Sequence, residues 1–489
     1  MLTIAAFTLG CKVNQYDTRA MIEQFIEAGY EEAPFDGDAD VYLINTCTVT
    51  AEGDRKSRQM IRKAARNNPE ASIIVTGCLA QRDPESLAEP GVRLILGTQR
   101  RSEVVTLLEK ALSQSEPLIA VHQTIERSYE PLTIRAGAEG RTRATLKIEE
   151  GCDAHCTYCI IPSVRGGVRS RPLEDIAREA ARLGEKGYQE LTLTGVNLSL
   201  YGRDLPLARG SAPPPRMRWG CAPHPLARDS APPPRMRLGC APHPLARSAA
   251  PPPQIECDRA PYPPGDRGGI TLADAARAAA SASGAARIRL GSLEPTLVSQ
   301  SFIEQLRDIH SLCPHFPLAL QSGCNATLRR MGRLYTTEDY RRAADMLRSA
   351  YPGAAITTDI IIGFPGETED EFEETLSFVR EIGFSRIHVF PYSPREGTPA
   401  ARMRAHVSAD VKRERTRRMI ELGRELERSY VERMIGQIRS VLFERETDVG
   451  AEGYTREYIR TAARGARAGT LRDVCLTDFH GDCASGVLI

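Results

Sequence analysis

The chain has 489 residues, 41% hydrophobic and 6% aromatic, with a formal net charge of +1. That length accommodates two to four domains, each with its own core. The near-neutral balance excludes a globally basic nucleic-acid binder, so any RNA contact has to come from local clustering. No apolar run approaches the roughly 20 residues needed to span a bilayer.

Arginine outnumbers lysine and alanine is abundant, which reads first as genomic base composition. The start, Met1 to Cys11, imitates an export signal, but no basic segment precedes its short apolar stretch. It reads as a buried first strand, and the expected location is the cytoplasm. In a reducing compartment the thirteen cysteines point to metal binding or catalysis before disulfides.

In chain order, three continuous apolar runs come first, each ending at a cysteine: Ile4–Gly10 before Cys11, Val41–Thr46 before Cys47, and Ile73–Gly77 before Cys78. Unbroken apolar runs predict parallel strands buried on both faces. Helical patterns over Thr18–Ala28 and Asp54–Asn67 separate them. The alternation predicts a doubly wound α/β domain over residues 1–115, with all three cysteines at carboxyl ends of strands. A polar linker, 116–142, follows.

A second strand–helix series then predicts a partial (β/α)6 barrel over 143–404. Its strands are Thr145–Glu149, Glu190–Leu193, Ile288–Leu290, Pro317–Leu320, Ile356–Ile362 and Arg386–Phe390. Residues 207–253 interrupt it with a 19-residue repeat, LARGSAPPPRMRWGCAPHP and its copies. Proline triplets with few apolar residues cannot form a packed core. Cys221, Cys240, His224 and His243 in this insertion read as products of duplication, without a metal role. An Arg-rich helix is predicted over 405–434, and a small β-barrel over 435–489.

The strongest chemical signal is Cys152-Asp-Ala-His-Cys156-Thr-Tyr-Cys159, directly after a strand. Three thiolates at this spacing can hold three corners of a [4Fe–4S] cube and leave one iron open. An open iron is what chelation of S-adenosylmethionine (SAM) by its amino and carboxylate groups requires. Electron transfer into the bound sulfonium then yields a 5′-deoxyadenosyl radical. The competing reading is a structural zinc site with His155 or a distant cysteine as fourth ligand. It lacks the usual second CxxC or HxxxH pair.

The chain resembles the methylthiotransferase family of radical SAM enzymes. The residues carrying the resemblance are TLGCKVNQYDT (8–18), INTCTVTAEGDRKSRQMIRKAAR (44–66), VTGCLAQ (75–81), EEGCDAHCTYCIIPSVRG (149–166), LTGVNLSLYG (193–202), IRLGSLEP (288–295), LQSG (320–323), TTDIIIGFPGET (357–368) and FSRIHVFPYSPREGTPAA (384–401). Within the family it is most similar to the branch acting on N6-threonylcarbamoyladenosine beside the tRNA anticodon. Cys11-Lys-Val-Asn-Gln-Tyr and His388-Val-Phe-Pro-Tyr-Ser argue for that branch. Isopentenyladenosine in tRNA, a ribosomal-protein aspartate and a non-enzymatic iron–sulfur RNA binder are the alternatives.

The resemblance implies that Cys11, Cys47 and Cys78 hold a second [4Fe–4S] cluster carrying the sulfur to be delivered. The radical would take the hydrogen from adenine C2, and a second SAM would supply the methyl group. It also implies that Gly195 and Asn197 meet the methionine end of SAM and that Gly363 and Gly366 lie beside its adenosyl part. Ser292, Glu294 and Gln321 are candidates for ribose or amino-acid contacts. An electron donor of the flavodoxin or ferredoxin kind is implied as a partner, with the tRNA anticodon stem-loop as substrate.

Local charge supplies the RNA candidates. Arg55, Lys56, Arg58, Arg62, Lys63 and Arg66 form a basic run after Cys47, which would line one helix face. Residues 402–433 carry ten basic and six acidic side chains. The C-terminal segment resembles the small RNA-binding TRAM barrel, best over Gly453-Tyr454-Thr455-Arg456-Glu457-Tyr458. Its nine arginines and nine acidic residues over 428–489 lend that no electrostatic support.

Overall fold

The apolar run Val41–Thr46 is buried at every position and Ser72–Gly77 at all but its first, as strands covered on both faces must be. A computed structural model describes residues 1–135, 141–205 and 269–489 of the protein. The repeat insertion and its Cys221, Cys240, His224 and His243 lie outside the described residues.

The N-terminal unit is a parallel six-stranded sheet. Its spatial order is Glu31–Ala33, Thr3–Thr8, Val41–Thr46, Ser72–Gly77, Val92–Leu96 and Leu118–Ala120. Strand order reverses between Thr3–Thr8 and Val41–Thr46, which makes their carboxyl ends the crevice where open α/β sheets bind ligands. Helices Lys12–Glu27 and Ala51–Asn67 start there; Thr50 caps the latter by accepting a hydrogen bond from the Gly53 amide.

Described parts of the linker expected over 116–142 pack into the two flanking units. Leu118–Ala120 forms the last strand of the sheet, pairing with Leu94–Leu96. Leu132 and Ile134 are buried in the core of the next unit. Scattered apolar residues with no period gave no sign of this from sequence alone.

Six parallel strands then form an open barrel: Arg143–Lys147, Glu190–Thr194, Arg287–Leu290, His315–Pro317, Ala355–Ile362 and Arg386–Pro391. Single bridges, Ile288 to Leu312 and Leu293 to Leu318, join its two three-stranded halves. Outward residues such as Leu191, Leu193, Ile288, Leu290, Ile356 and Ile360 pack beneath the surrounding helices. Capping boxes fix three of those helices: Thr271 with Asp274 before Leu272–Ser283, Thr336 with Asp339 before Thr337–Ala350, and Thr368 with Glu371 before Glu369–Ile382.

The Arg-rich helix runs Ala409–Glu432, and a closed five-stranded barrel over Ile438–Leu488 follows it. This barrel docks on the starting ends of the central strands. Arg287 donates to the carbonyls of Tyr454 and Ser440, at 2.8 and 2.7 Å, and Arg289 donates to that of Arg456 at 2.9 Å. Tyr454 and Tyr458 stack on each other at 4.6 Å, with Arg143 and Arg289 over their rings. The segment that best matches an RNA-binding barrel is therefore used, in this chain, for contact between domains.

Candidate active site

Cys11, Cys47 and Cys78 follow three adjacent strands at the crevice. Cys11 is the residue before helix Lys12–Glu27, Cys47 follows its strand directly, and Cys78 opens the short helix Cys78–Arg82. Gly77 turns the chain into that helix at φ 96° and ψ −162°, a region open essentially to glycine alone. Asn14 ties two of the loops together, donating to the carbonyls of Leu9 and Thr46 at 2.7 and 3.0 Å.

Burial pushes the Cys47 thiol up to about 11, and the neighbouring Cys78 and Cys11 sulfurs push the same way. Burial also raises Cys78, against the opposing pull of Arg165. The three thiols thus lie within electrostatic reach of one another.

Across the junction, Cys152, Cys156 and Cys159 follow the two-residue strand Glu149–Glu150 at the carboxyl end of the first barrel strand. Burial raises the Cys152 and Cys159 thiols to about 12 each, with Cys156 adding to both. Arg333 donates to the Cys156 sulfur at 3.1 Å and is paired with Glu294. Among the described residues, no three His, Cys, Asp or Glu side chains converge as a ready-made site for a single metal ion.

The two trios meet across a buried ionic joint. Asp17 of the first helix faces Arg101, Lys147 and Arg165, and Glu150 faces the same three cations, all with side chains 3% exposed or less. Such charges are tolerated in a core only when paired. The joint fixes the sheet crevice against the mouth of the barrel. On its other side Arg395, from the loop after the last barrel strand, pairs with Asp54 and donates to Thr48 at 3.2 Å.

Comparison with known proteins gives this geometry a relation. Residues 3–97 match the uncharacterized protein family UPF0004, and residues 146–212 and 262–379 match the radical SAM superfamily. The threonylcarbamoyladenosine tRNA methylthiotransferase MtaB of Bacillus subtilis is 38% identical over 472 residues, 95% of this chain and 91% of that protein. The tRNA-2-methylthio-N(6)-dimethylallyladenosine synthase of Symbiobacterium thermophilum is 32% identical over 444 residues, 89% and 83% of the two chains. The chain belongs to the radical SAM methylthiotransferase family. For the fold alone, the radical SAM methyltransferase TsrM of Kitasatospora setae superposes with a TM-score of 0.51. It is 13% identical, over 82% of this chain and 77% of that one.

Radical SAM methylthiotransferases use SAM and [4Fe–4S] clusters. The donor sets here fit such clusters. Each trio offers three thiols from strand-end loops, and a buried guanidinium donates to one sulfur of each, Arg165 to Cys78 and Arg333 to Cys156. A thiolate-bound cluster is served by such donors.

Around the second trio, the loop Gly195-Val196-Asn197 lies against Cys152. The Asn197 side-chain amide is 3.7 Å from its sulfur, and the Asn197 backbone N–H donates to Glu149 at 2.7 Å. A side chain at position 195 would run into Glu149 at 2.5 Å. Burial pushes the Glu149 carboxyl well above the ordinary carboxylate range.

Gln321 holds a left-handed φ of 67°, an outlier for a residue with a side chain and a mark of local constraint. Ser292 is exposed at the mouth, and Glu294 is held by Arg333. Gly363 and Gly366 also have positive φ. Lys412 lies over Gly363, and Gly366 donates to the Ala405 carbonyl at 2.9 Å. Both glycines thus back onto the start of the Arg-rich helix as well as edging the mouth.

Five of the six basic residues named on helix Ala51–Asn67 are engaged with acids. Arg55 and Lys56 pair with Glu52, Arg58 with Asp83, Arg62 with Glu89, and Lys63 with Asp36. Sequence reasoning overlooked Arg165 and Arg333. Arg165 directly follows the stretch Ile160–Val164 beside the cysteine motif, and Arg333 sits among the arginines of 329–333, so neither stood out in the sequence.

Proposed function

We infer that this chain attaches a methylthio group to C2 of N6-threonylcarbamoyladenosine 37 in tRNA, working in the cytoplasm. The observation that carries this reading is the near full-length likeness to the Bacillus subtilis enzyme of that name, 38% identical over 95% of this chain. In this reading Cys152, Cys156 and Cys159 hold the SAM-binding cluster, and Cys11, Cys47 and Cys78 hold the sulfur-bearing one. When bound, these groups supply a carbon-centred radical and a transferable sulfur, chemistry that side chains alone cannot provide.

The protein's own part is binding and exclusion of water. Gly195 lets the backbone come close to the methionine end of SAM, and Asn197 presents its amide beside Cys152. Glu294, anchored by Arg333, faces the same mouth, with Ser292, Gln321, Gly363 and Gly366 around the ribose and adenine. The buried ionic joint keeps the two trios in one fixed relation.

The tRNA anticodon stem-loop would approach over helix Ala51–Asn67. Its ion pairs involve largely exposed side chains, such as Arg55 and Glu52 at 68% and 51% exposure. Exposed pairs contribute little, so phosphate oxygens can replace the carboxylates. A flavodoxin- or ferredoxin-like protein would supply electrons.

The test is nucleoside mass spectrometry of total tRNA from cells with and without the gene. Loss of the methylthio-threonylcarbamoyl nucleoside on deletion, restored by the intact gene, supports the reading. Loss of the dimethylallyl form instead would transfer this chain to the activity named for its 32% identical relatives. A gene lacking codons 207–253 reports in the same assay whether the repeat insertion matters. In the purified protein, alanine at Cys152, Cys156 or Cys159 should abolish SAM cleavage. Alanine at Cys11, Cys47 or Cys78 should spare cleavage and abolish methylthiolation.

A further inference from the structure

The helix Ile161–Arg165 is the wall shared by the two cysteine trios. Ile161 packs on the apolar patch of Cys78, Ile160 and Val164, and also on that of Cys152, Val168 and Leu200. At its end Arg165 is 1% exposed, and its Nε–H donates to the Cys78 sulfur at 3.2 Å. One terminal nitrogen bonds Glu150, two residues before Cys152, and the other bonds the Asn14 side-chain oxygen. Asn14 in turn holds the carbonyls of Leu9 and Thr46, the backbone leading into Cys11 and Cys47.

One rigid guanidinium therefore touches a cysteine of the first trio, the brace of its other two loops, and the approach to the second trio. Lysine, a point charge on a flexible stem, cannot reproduce that fork. An N–H donated to a cluster sulfur favours the more negative, reduced state and so raises the reduction potential.

We propose that Arg165 is a positioning residue for the methylthiolation reaction, setting the reduction potential of the cluster held by Cys11, Cys47 and Cys78 and fixing its place relative to the SAM-binding cluster. This rests on the reading that those three cysteines hold a cluster. Arg101 is the natural control. It is equally buried in the same ionic joint, bonding Asp17, Glu130 and Glu150, and none of its bonds goes to a cysteine.

The test uses the full chain with Cys152, Cys156 and Cys159 changed to alanine, reconstituted with iron and sulfide so that only the first trio can bind. Midpoint potentials are read by titration followed by electron paramagnetic resonance. R165M should shift the potential negative, with R165K between it and the parent. R101M should lower the melting temperature while leaving the potential near the parent value.

An R165M protein with parental iron content and parental potential would overturn the proposal, as would an equal shift in R101M. Should R165M not load iron, the arginine-15N-labelled parent decides by pulsed resonance of its reduced cluster. A coupled arginine nitrogen supports the proposal and its absence refutes it. An iron-free parent would instead overturn the cluster reading, and this inference with it.

Discussion

Glu190 offers the sharpest test of how the C-terminal barrel is held. Register places it between Arg143 and Arg287 in one cross-strand row. It is 0% exposed and takes Arg289 in a two-pronged pair at 2.7 and 3.0 Å, with Arg287 and Arg143 at 3.8 and 3.9 Å. Burial works against its charge, but Arg289, Arg143 and Arg287 together draw its carboxyl below the ordinary 4.5. Removing one partner of a buried pair strands the other, at a cost of about 3–5 kcal/mol.

E190A should therefore lose about that much stability in urea unfolding followed by circular dichroism, and E190Q less, since an amide keeps one acceptor. Because the folded carboxyl titrates below its unfolded value, its contribution is present above about pH 4.5 and fades as pH falls further. Adding R289M to E190A removes the stranded cation, and the pair should show a coupling of about 1–3 kcal/mol. A loss below about 1 kcal/mol for E190A, or strict additivity in the double variant, would refute the argument.

G77A puts a methyl group within 2.8 Å of the Thr46 backbone at a glycine-only φ. It should cost more than about 2 kcal/mol and lower iron per chain after reconstitution, read by thermal unfolding and iron assay. N14A removes two hydrogen bonds to carbonyls, the one to Thr46 buried and the one to Leu9 partly so, and leaves Arg165 one partner short. A loss of about 1–3 kcal/mol is expected by the same unfolding assay. Burial raises the Glu367 carboxyl to about 7 from 4.5, despite Arg415 and the amides of Gly363 and Phe364. The fold prefers it neutral, so its own contribution to stability is fully present below about pH 4.5 and is lost as pH rises toward 7. E367Q should flatten that slope in melting temperatures measured across the range.

Sequence alone determined what is periodic or local. Apolar runs bounded by helical patterns were enough to predict Val41–Thr46 and Ile73–Gly77 as buried parallel strands, because a strand covered on both faces has no polar alternation. Close spacing marked Cys152, Cys156 and Cys159, and the end of an apolar run marked each of Cys11, Cys47 and Cys78, because both patterns are local in the sequence. What depends on distant partners was closed to it. Leu132 and Ile134 looked like linker because nothing near them in sequence needs them buried. The segment 453–458 resembled part of an RNA-binding barrel, and only the fold set Arg143 and Arg289, from strands about 170 to 315 residues earlier, over the Tyr454 and Tyr458 rings. Arg165 and Arg333 read as unremarkable cations until the fold set a thiol 3.2 and 3.1 Å from them. A charge costs too much to bury unpaired, so the burial of these arginines became intelligible only when the tertiary structure supplied Glu150, Glu294 and the two sulfurs.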